Sequence, residues 1–215
     1  MHAAELHDIS VAFAPGTPVW PGDTVFSCGW AWDMTLGASV NVSKWELSPH
    51  TGTHADAALH VTRDAAGAES LPLLPFVGPA TLIDVAHFAG AISLDGLRAA
   101  GWRPGVERLI LRTHRTTASG TFPAFWPSLD PGVAKTLCED GLRLLAVDCP
   151  SVDDRESKHL TVHHAIFDGG AQVLENLDLR GVAPGEYELV AFPLKVGRCD
   201  AAPVRAFLRR VSIPL

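Results

Sequence analysis

One eleven-residue segment holds three histidines and an aspartate, at His50, His54, Asp56 and His60. Imidazole and carboxylate are the usual ligands of zinc and of related divalent ions. All four side chains stand at even positions, and alternate side chains of an extended chain project to the same face. A helix would align His50 with His54 but turn Asp56 away. The spacing therefore predicts an extended segment that presents four polar side chains to one metal site.

The distances along this segment predict a bend at Gly52. In a straight strand His50 and His54 would stand roughly 13 Å apart, at about 3.3 Å per residue. That separation is near the limit for two imidazoles on one ion, and glycine readily permits a bend. His54 and Asp56, about 7 Å apart on the same rise, can share an ion without distortion. This pattern favours metal binding over a histidine-rich loop of core or surface histidines.

A second group of candidate ligands lies far along the chain, at His163, His164 and Glu175. Glu175 stands inside the apolar run 171–177, where a buried carboxylate without a partner would be costly. A metal ion would satisfy this carboxylate, and an arginine partner or solvent at a strand end would do so equally well. The residues alone also do not choose among His159, His163 and His164.

Composition limits the classes of function. With 215 residues, 47% of them hydrophobic, the chain is long enough for one domain, residues 1–215, with a substantial core. A net charge of −7 with scattered lysines and arginines argues against a nucleic-acid partner. The longest apolar stretch, 71–83, contains three prolines and is too short to span a bilayer. Residues 1–16 show no basic start followed by an apolar core, so no secretory signal is expected.

The cysteines and most tryptophans are expected to be packing residues. The four cysteines are widely spaced and include no C-x-x-C pair, which predicts small buried residues in a reducing, cytoplasmic compartment and leaves a disulfide pair open. Five of the six tryptophans are likewise predicted to pack in the interior: Trp30, Trp32, Trp45, Trp102 and Trp126.

Runs rich in β-formers and bounded by glycine or proline predict strands at residues 81–85, 109–113, 142–147 and 188–194. Ser93 is a suitable N-cap for a helix that runs through Leu97 to Ala100 and ends at Gly101. Further helices are predicted from Pro131 to Asp140 and over 160–167. Strands outnumber helices, and their mixed order predicts an α/β fold with a partly mixed sheet.

The segment from His50 to His60 resembles the H-x-G-T-H-x-D-x-P-x-H signature of the metal-dependent cyclase/hydrolase family, and its formamidase branch in particular. Similar segments extend the resemblance over nearly the whole chain, at 18–23, 147–153, 163–164, 174–175 and 184–189. The resemblance implies a swivelling β/β/α cyclase-like fold with a mixed central sheet, and a homodimer. The chain departs at Ala58, where the family has proline. This removes no ligand, but leaves the path from Asp56 to His60 less restricted.

The resemblance also implies a site for two zinc ions per subunit. His50, His54 and Asp56 match the ligands of one ion. Asp56, His163 and Glu175 match those of the other, with the carboxylates able to bridge the pair. This assignment selects His163 from the three later histidines, a choice that the spacing leaves open.

The formamidase branch implies hydrolysis of a linear amide, N-formyl-L-kynurenine, to formate and L-kynurenine in tryptophan degradation. His60 matches the general acid/base, and Trp20 matches a residue that lines the substrate pocket. Attack on the formyl carbon needs hydroxide, and zinc lowers the pKa of water from 15.7 to about 7. The departing aryl nitrogen needs a proton, which a histidine can supply near neutral pH.

Alternatives remain open at this point. A relative that opens a cyclic aryl amide such as isatin, with manganese as an alternative metal, would use the same kind of site. His plus carboxylate also suits iron or cobalt. A non-catalytic metal-binding module belongs to another class, but structural zinc favours closed sites rich in cysteine. For His60, a fifth metal ligand or a core histidine is the alternative to acid/base catalysis.

Overall fold

The computed structural model describes residues 6–210, so the first five residues of the stretch considered for a secretory signal lie outside it. Within this range the chain forms three α-helices, α1 (Leu94–Ala100), α2 (Pro131–Glu139) and α3 (Thr161–Asp168). The strands in the same range are β1 (Leu6–Asp8), β2 (Ser27–Trp32), β3 (Val42–Glu46), β4 (His54–Asp56), β5 (Val77–Asp84), β6 (Arg108–Arg112), β7 (Leu144–Val147), β8 (Gln172–Glu175), β9 (Gly185–Val190), β10 (Ala201–Pro203) and β11 (Phe207–Arg210).

Nine of the strands found in residues 6–210 form one sheet in the order β1-β11-β9-β5-β6-β7-β8-β4-β10. The central strands β5 to β8 run parallel to one another, and the strands on both sides of them are antiparallel. The predicted α/β fold with a mixed central sheet is therefore confirmed. Strands β2 and β3 form a separate hairpin.

Apolar cores cover both faces of the parallel part of the sheet. Leu109 and Leu111 of β6 join the cluster that contains the helices, whereas Ile110 between them joins the cluster on the other face. Strands buried on both faces are continuous apolar runs rather than alternating ones, which explains why β6 and β7 were readable as strands. Strand β4 lies beside this core, between β8 and the edge strand β10.

The predicted elements are present, with shifted ends. The Ser93 hydroxyl accepts a hydrogen bond from the Gly96 amide at 3.1 Å, and Gly101 ends α1 in the left-handed conformation, as expected. Helix α2 has an N-cap that the sequence interpretation missed, Asp130, whose Oδ1 accepts from the Gly132 amide at 2.8 Å. Strand β9 ends at Val190 rather than at 194. Pro193, three residues further on, has no amide hydrogen for strand pairing and makes only an isolated bridge with Val204.

The segment that holds the candidate ligands is extended only over β4. Gly52 has a φ of +63°, so the predicted bend is confirmed. The predicted extended path is wrong at His60, which lies in a 3-10 turn, Ala58–His60. The turn starts where the pairing of this segment with the edge strand β10 ends. The last hydrogen bond of that pairing is donated by the Ala57 amide to the Asp200 carbonyl, at 2.8 Å.

Three of the tryptophans expected in the interior are on the surface. Trp102 and Trp126 are buried, as predicted, but Trp30, Trp32 and Trp45 are 55–59% exposed. The prediction fails because β2 and β3 pair only with each other among the described strands, so no core covers them.

The cysteines also differ from the prediction of four buried residues. Only Cys149 is buried, Cys28 is exposed on the hairpin, and Cys138 and Cys199 are half-buried. All four thiols are free. No helix in residues 6–210 has the length and apolar character needed to cross a membrane.

Candidate metal centre

Strand register brings the first two groups of candidate ligands together. In the antiparallel pairing of β4 with β8, His54 stands opposite Glu175. The bend at Gly52 then folds His50 back, so that the rings of His50 and His54 lie 4.9 Å apart at an interplanar angle of 85°. His54 Nδ1 donates to the Gly52 carbonyl at 2.9 Å, which directs Nε2 toward the carboxylates.

His163 comes to the same place on the first turns of α3. Asp153 holds this end of the helix, because its carboxylate accepts from the Val162 amide at 2.9 Å and from the His163 amide at 3.0 Å. His163 Nδ1 also donates to Asp153 Oδ2 at 2.7 Å, which turns Nε2 toward Asp56 and Glu175. His159 is exposed and His164 half-buried, so the structure brings His163 to the cluster, as the resemblance implies.

The carboxylates of Asp56 and Glu175 each direct one oxygen toward the histidines of the 50–60 segment and the other oxygen toward His163. Asp56 Oδ1 lies 3.2 Å from His50 Nδ1 and 3.3 Å from His54 Nε2, while Oδ2 lies 3.1 Å from His163 Nε2. Glu175 Oε2 lies 3.5 Å from His54 Nε2, and Oε1 lies 3.3 Å from His163 Nε2. Two ligands of a tetrahedral ion with bonds of about 2.0–2.2 Å lie about 3.4 Å apart. The spacing of these atoms is therefore compatible with ligand atoms that share a metal ion.

Burial makes this arrangement costly without a cation. His54, Asp56, His163 and Glu175 are all buried, with exposed fractions of 0–3%. Within the described residues His54 Nε2 and Asp56 Oδ1 have no hydrogen-bond partner, although they lie 3.3 Å apart. Orphaned buried polar atoms of this kind are rare, and a shared divalent ion would satisfy both. The residues present thus fit a metal.

Electrostatics in the metal-free chain shows how strongly the cluster attracts cations. Burial disfavours imidazolium, but the charge of Asp56 outweighs it and raises the pKa of His50 to about 10 and that of His54 to about 9. Burial likewise opposes protonation of His163, yet hydrogen bonds to Asp153 and Asp56 raise its pKa well above the usual range. Burial would raise the pKa of Asp56, but His50 and His54 hold it well below its ordinary value.

His60 reaches the cluster from the 3-10 turn. Its ring lies 4.4 Å from that of His50 and 5.6 Å from that of His163. One ligand atom each of Asp56, His60 and His163 lie within 4.8 Å of one another. The position accommodates a metal ligand and an acid/base equally, so the role of His60 stays a prediction.

Two carboxylates that the sequence interpretation left without a role also touch the site. Asp153 orients His163. Its position shortly before helix α3 was the signal in the sequence that could have indicated this role. Asp200 Oδ2 lies 2.9 Å from His50 Nε2 and 3.4 Å from His60 Nδ1. Asp200 had no local signal, because only the pairing of β10 with β4 brings it there.

A cavity of about 280 Å³ opens onto the cluster. Trp20 lies on its wall, 40% exposed, with ring edges of Phe122 and Trp126 packed at centroid distances of 5.4 and 5.9 Å. The residues that line the cavity are Pro18, Val19, Trp20, Asp23, His50, His60, Phe122, Pro150, Ser151, Leu160, Glu175 and Asn176. The cavity therefore joins an aromatic wall to two imidazoles and two carboxylates, Asp23 and Glu175.

Solved structures define the class of protein. A structure described as a potential metal-dependent hydrolase with cyclase activity is 27% identical, has a TM-score of 0.81 and covers 98% of this chain and 100% of its own. An isatin hydrolase bound to the product analogue thioisatinate has the same fold, with a TM-score of 0.81 at 20% identity over 97% of this chain and 93% of its own. The fold is that of cyclase-like metal-dependent hydrolases.

The chain belongs to the Cyclase family, whose model matches residues 7–154. The kynurenine formamidase of Bacillus cereus is 41% identical over 213 residues, which are 98% of this chain and 100% of the relative. The kynurenine formamidases of Bacillus mycoides and Bacillus anthracis are 40% and 39% identical over the same shares. The predicted resemblance to the formamidase branch is confirmed, and these relatives make the chain a hydrolase.

Proposed function

We propose that this chain, as a single domain of residues 1–215, hydrolyses N-formyl-L-kynurenine to L-kynurenine and formate in tryptophan degradation. The observation that carries the proposal is the placement of Asp56 and Glu175, each with one oxygen toward His54 and the other toward His163. Formamidase relatives at 39–41% identity over nearly the full chain support the choice of substrate.

Two zinc ions per subunit are part of the proposal. His50, His54 and Asp56 would hold one ion, and Asp56, His163 and Glu175 would hold the other. The orphaned atoms His54 Nε2 and Asp56 Oδ1 support the first group. When bound, such ions polarise a carbonyl oxygen and lower the pKa of water from 15.7 to about 7.

The chain's own residues would do the rest of the chemistry. His60 lines the cavity beside the ligand cluster, where it can take a proton from water and return one to the departing aryl nitrogen. Trp20 would offer an aromatic face to the ring of the substrate, and Phe122 packs against Trp20 to hold it in place. Burial of the cluster excludes bulk water, which strengthens the interaction of its charges with a reacting formyl group.

The hairpin of β2 and β3 supports a homodimer, which the family resemblance also implies. A two-stranded hairpin is marginally stable by itself in water. Aromatic side chains bury about 150–250 Å² each, so three half-exposed tryptophans leave on the order of 300 Å² of apolar surface. Further exposed apolar residues adjoin or belong to the hairpin: Val25, Met34, Leu36, Val40 and Val42. The total approaches the about 800 Å² per partner of a stable interface, and we infer that a second copy of this chain covers it.

A cytoplasmic location is also proposed, since the four free cysteines suit a reducing compartment.

The test combines metal analysis with a formamidase assay on one preparation. Protein stripped by a chelator is expected to lose hydrolysis of N-formyl-L-kynurenine and to recover it when two equivalents of zinc per subunit are restored. Isatin is assayed beside it as the substrate of the alternative reaction. Full activity after verified metal removal would refute the metal-dependent mechanism, and faster turnover of isatin would replace the proposed substrate.

A further inference from the structure

We propose that Asp200 is a positioning residue that fixes the ring orientation and the tautomer of His60, and that it couples His60 to the candidate ligand His50. The inference deepens the proposed function and rests on the acid/base role given there to His60. It concerns a residue that lies far from both histidines in sequence and outside every motif considered above.

The sheet fixes the position of Asp200. Asp200 directly precedes β10, the edge strand, and the next residue, Ala201, pairs with Asp56 of β4. The Ala57 amide donates to the Asp200 carbonyl at 2.8 Å, which continues this pairing by one more hydrogen bond. The backbone of Asp200 is therefore held against the strand that carries two candidate ligands, and its side chain is presented where that strand turns toward His60.

One carboxylate oxygen serves both imidazoles. Asp200 Oδ2 lies 2.9 Å from His50 Nε2 and 3.4 Å from His60 Nδ1. A carboxylate oxygen only accepts, so both ring nitrogens carry the proton on the side of Asp200. A neutral imidazole has one N–H, and the nitrogen across the ring is then left with its lone pair.

Once His50 is neutral, as a metal ligand must be, this leaves its lone pair on Nδ1, which lies 3.2 Å from Asp56 Oδ1 inside the cluster. This is the pattern of a metal ligand whose second nitrogen donates to an outer carboxylate. For His60, it leaves the lone pair on Nε2, the nitrogen that a general base needs. The same oxygen thus sets the tautomers of a candidate ligand and of the candidate base together.

A third cation held by His50, His60 and Asp200 is the competing interpretation, because their ligand atoms lie within 4.8 Å of one another. The 2.9 Å contact between Asp200 Oδ2 and His50 Nε2 favours hydrogen bonding, because it is an ordinary hydrogen-bond length and ligands of one tetrahedral ion lie about 3.4 Å apart. The 3.4 Å contact with His60 Nδ1 fits both interpretations, and the zinc content of Asp200→Asn separates them.

Substitution of Asp200 is expected to leave the fold intact. The Asp200 side chain is 41% exposed, so its charge is not needed in the protein interior. His50 loses one carboxylate partner in such a variant but keeps the other, Asp56. Loss of an outer carboxylate of this kind typically costs 10–100-fold in activity or metal affinity. The substitution should lower kcat rather than raise KM, because His60 loses its orientation while the residues that line the cavity are unchanged.

The experiment compares the wild-type holoprotein with Asp200→Asn and Asp200→Glu, with Asp95→Asn as the control for loss of an exposed, ion-paired carboxylate. Asp200→Asn is expected to lower kcat for N-formyl-L-kynurenine about 10–100-fold, with KM changed less than about twofold and the zinc content unchanged. Asp200→Glu should recover part of kcat, and the rate should show an altered pH profile in Asp200→Asn but not in the control.

A second readout needs no substrate. Ring nitrogen NMR, with the His60 signals identified by their absence in His60→Gln, should show the Nδ1–H tautomer of His60 in the wild type and its loss in Asp200→Asn. An unchanged tautomer or unchanged kcat in Asp200→Asn would overturn the proposal, and so would the loss of a zinc equivalent. If the wild type does not hydrolyse the substrate, the proposed function fails, and the tautomer measurement still decides the role of Asp200.

Discussion

His54 and Glu175 stand directly opposite each other across antiparallel strands β4 and β8, with Nε2 and Oε2 3.5 Å apart. A shift of the pairing by one residue would turn either side chain to the opposite face of the sheet, because side chains alternate between faces with a period of two. The register of two short strands therefore fixes the distance between histidine and carboxylate groups that are far apart in sequence. A metal centre built on strands in this way needs little reorganisation to bind an ion.

Glu175→Gln tests the bridging carboxylate. The amide has nearly the same shape and can still accept from the Val152 amide, so the fold should be kept. It removes the negative charge that two cations would share, so we expect zinc content to fall below two per subunit and activity to fall by at least about 100-fold. Metal analysis after gel filtration measures the first effect. Glu186→Gln, at an exposed position, is the control, and two bound zinc ions in Glu175→Gln would remove this residue from the ligand set.

Gly52→Ala tests the bend that brings His50 to the cluster. The φ of +63° is strained for alanine, and its Cβ would lie 2.7 Å from a ring carbon of Phe13. We expect a loss of about 2–4 kcal/mol in the free energy of unfolding, measured by denaturant titration of the metal-free protein.

Gly105→Ala separates the two causes, since Gly105 also has a positive φ, +86°, but nothing within 4 Å of the added Cβ. This control should lose only about 1 kcal/mol. Phe13→Ala combined with Gly52→Ala should recover part of the difference. Equal losses at the two glycines would show that the contact with Phe13 contributes nothing.

The sequence predicted those parts of the site that depend on local geometry. The shared parity of His54 and Asp56 was sufficient, because both lie in one strand. The same alternation wrongly placed His60 in the extended segment, since the chain enters a 3-10 turn where the pairing with the edge strand ends. The choice of His163 came from the family resemblance, because only tertiary contacts with Asp153 and Asp56 distinguish it from its neighbours. The exposed tryptophans were mispredicted because hydrophobicity does not show whether a strand joins the main sheet.

Zinc binding is expected to release protons. In the metal-free protein the raised pKa values of about 10 for His50 and about 9 for His54 keep both rings protonated at pH 7. A metal ligand must be a neutral imidazole, so zinc displaces these protons and its apparent affinity should rise with pH up to about 10, the pKa of His50. Titration calorimetry at pH 7 in two buffers of different ionisation enthalpy measures the release. Identical heats in both buffers would contradict it.

The same pKa values set the sign of a stability change in the metal-free chain. Both histidines have a folded pKa above the ordinary value of 6.5, so their ion pairs with Asp56 contribute fully below pH 6.5. This contribution is lost as pH rises through about 9 and 10. Thermal unfolding of the metal-free protein should therefore occur at a lower temperature at pH 9.5 than at pH 6.5. Zinc-loaded protein should not show this fall in unfolding temperature. A higher unfolding temperature at pH 9.5 than at pH 6.5 without metal would contradict the prediction.

The hairpin predicts an oligomer that tryptophan substitution weakens. Trp30→Ser and Trp45→Ser remove apolar area from one face of β2 and β3, where Cys28 pairs with Trp45. We expect the wild type to sediment as a dimer and the double variant to shift to monomer at micromolar concentration, since residues of this type dominate interface energies. Trp102, which is buried, is left unchanged so that the core is intact. A monomeric wild type would refute the dimer, and binding of the wild type to phosphatidylcholine vesicles would assign the hairpin to a membrane surface.

His60→Ala separates catalysis from metal binding. If His60 is the acid/base, the variant keeps two zinc ions per subunit and loses turnover by about 10²–10⁴-fold. If His60 is a ligand instead, zinc content and turnover fall together, because His60 lies within ligand distance of Asp56 and His163. His164→Ala, on the same helix as His163 but outside the cluster, controls for loss of an imidazole. Turnover by His60→Ala at the wild-type rate would exclude both roles, and would leave the aryl nitrogen to be protonated by solvent in the cavity that Trp20 and His60 line.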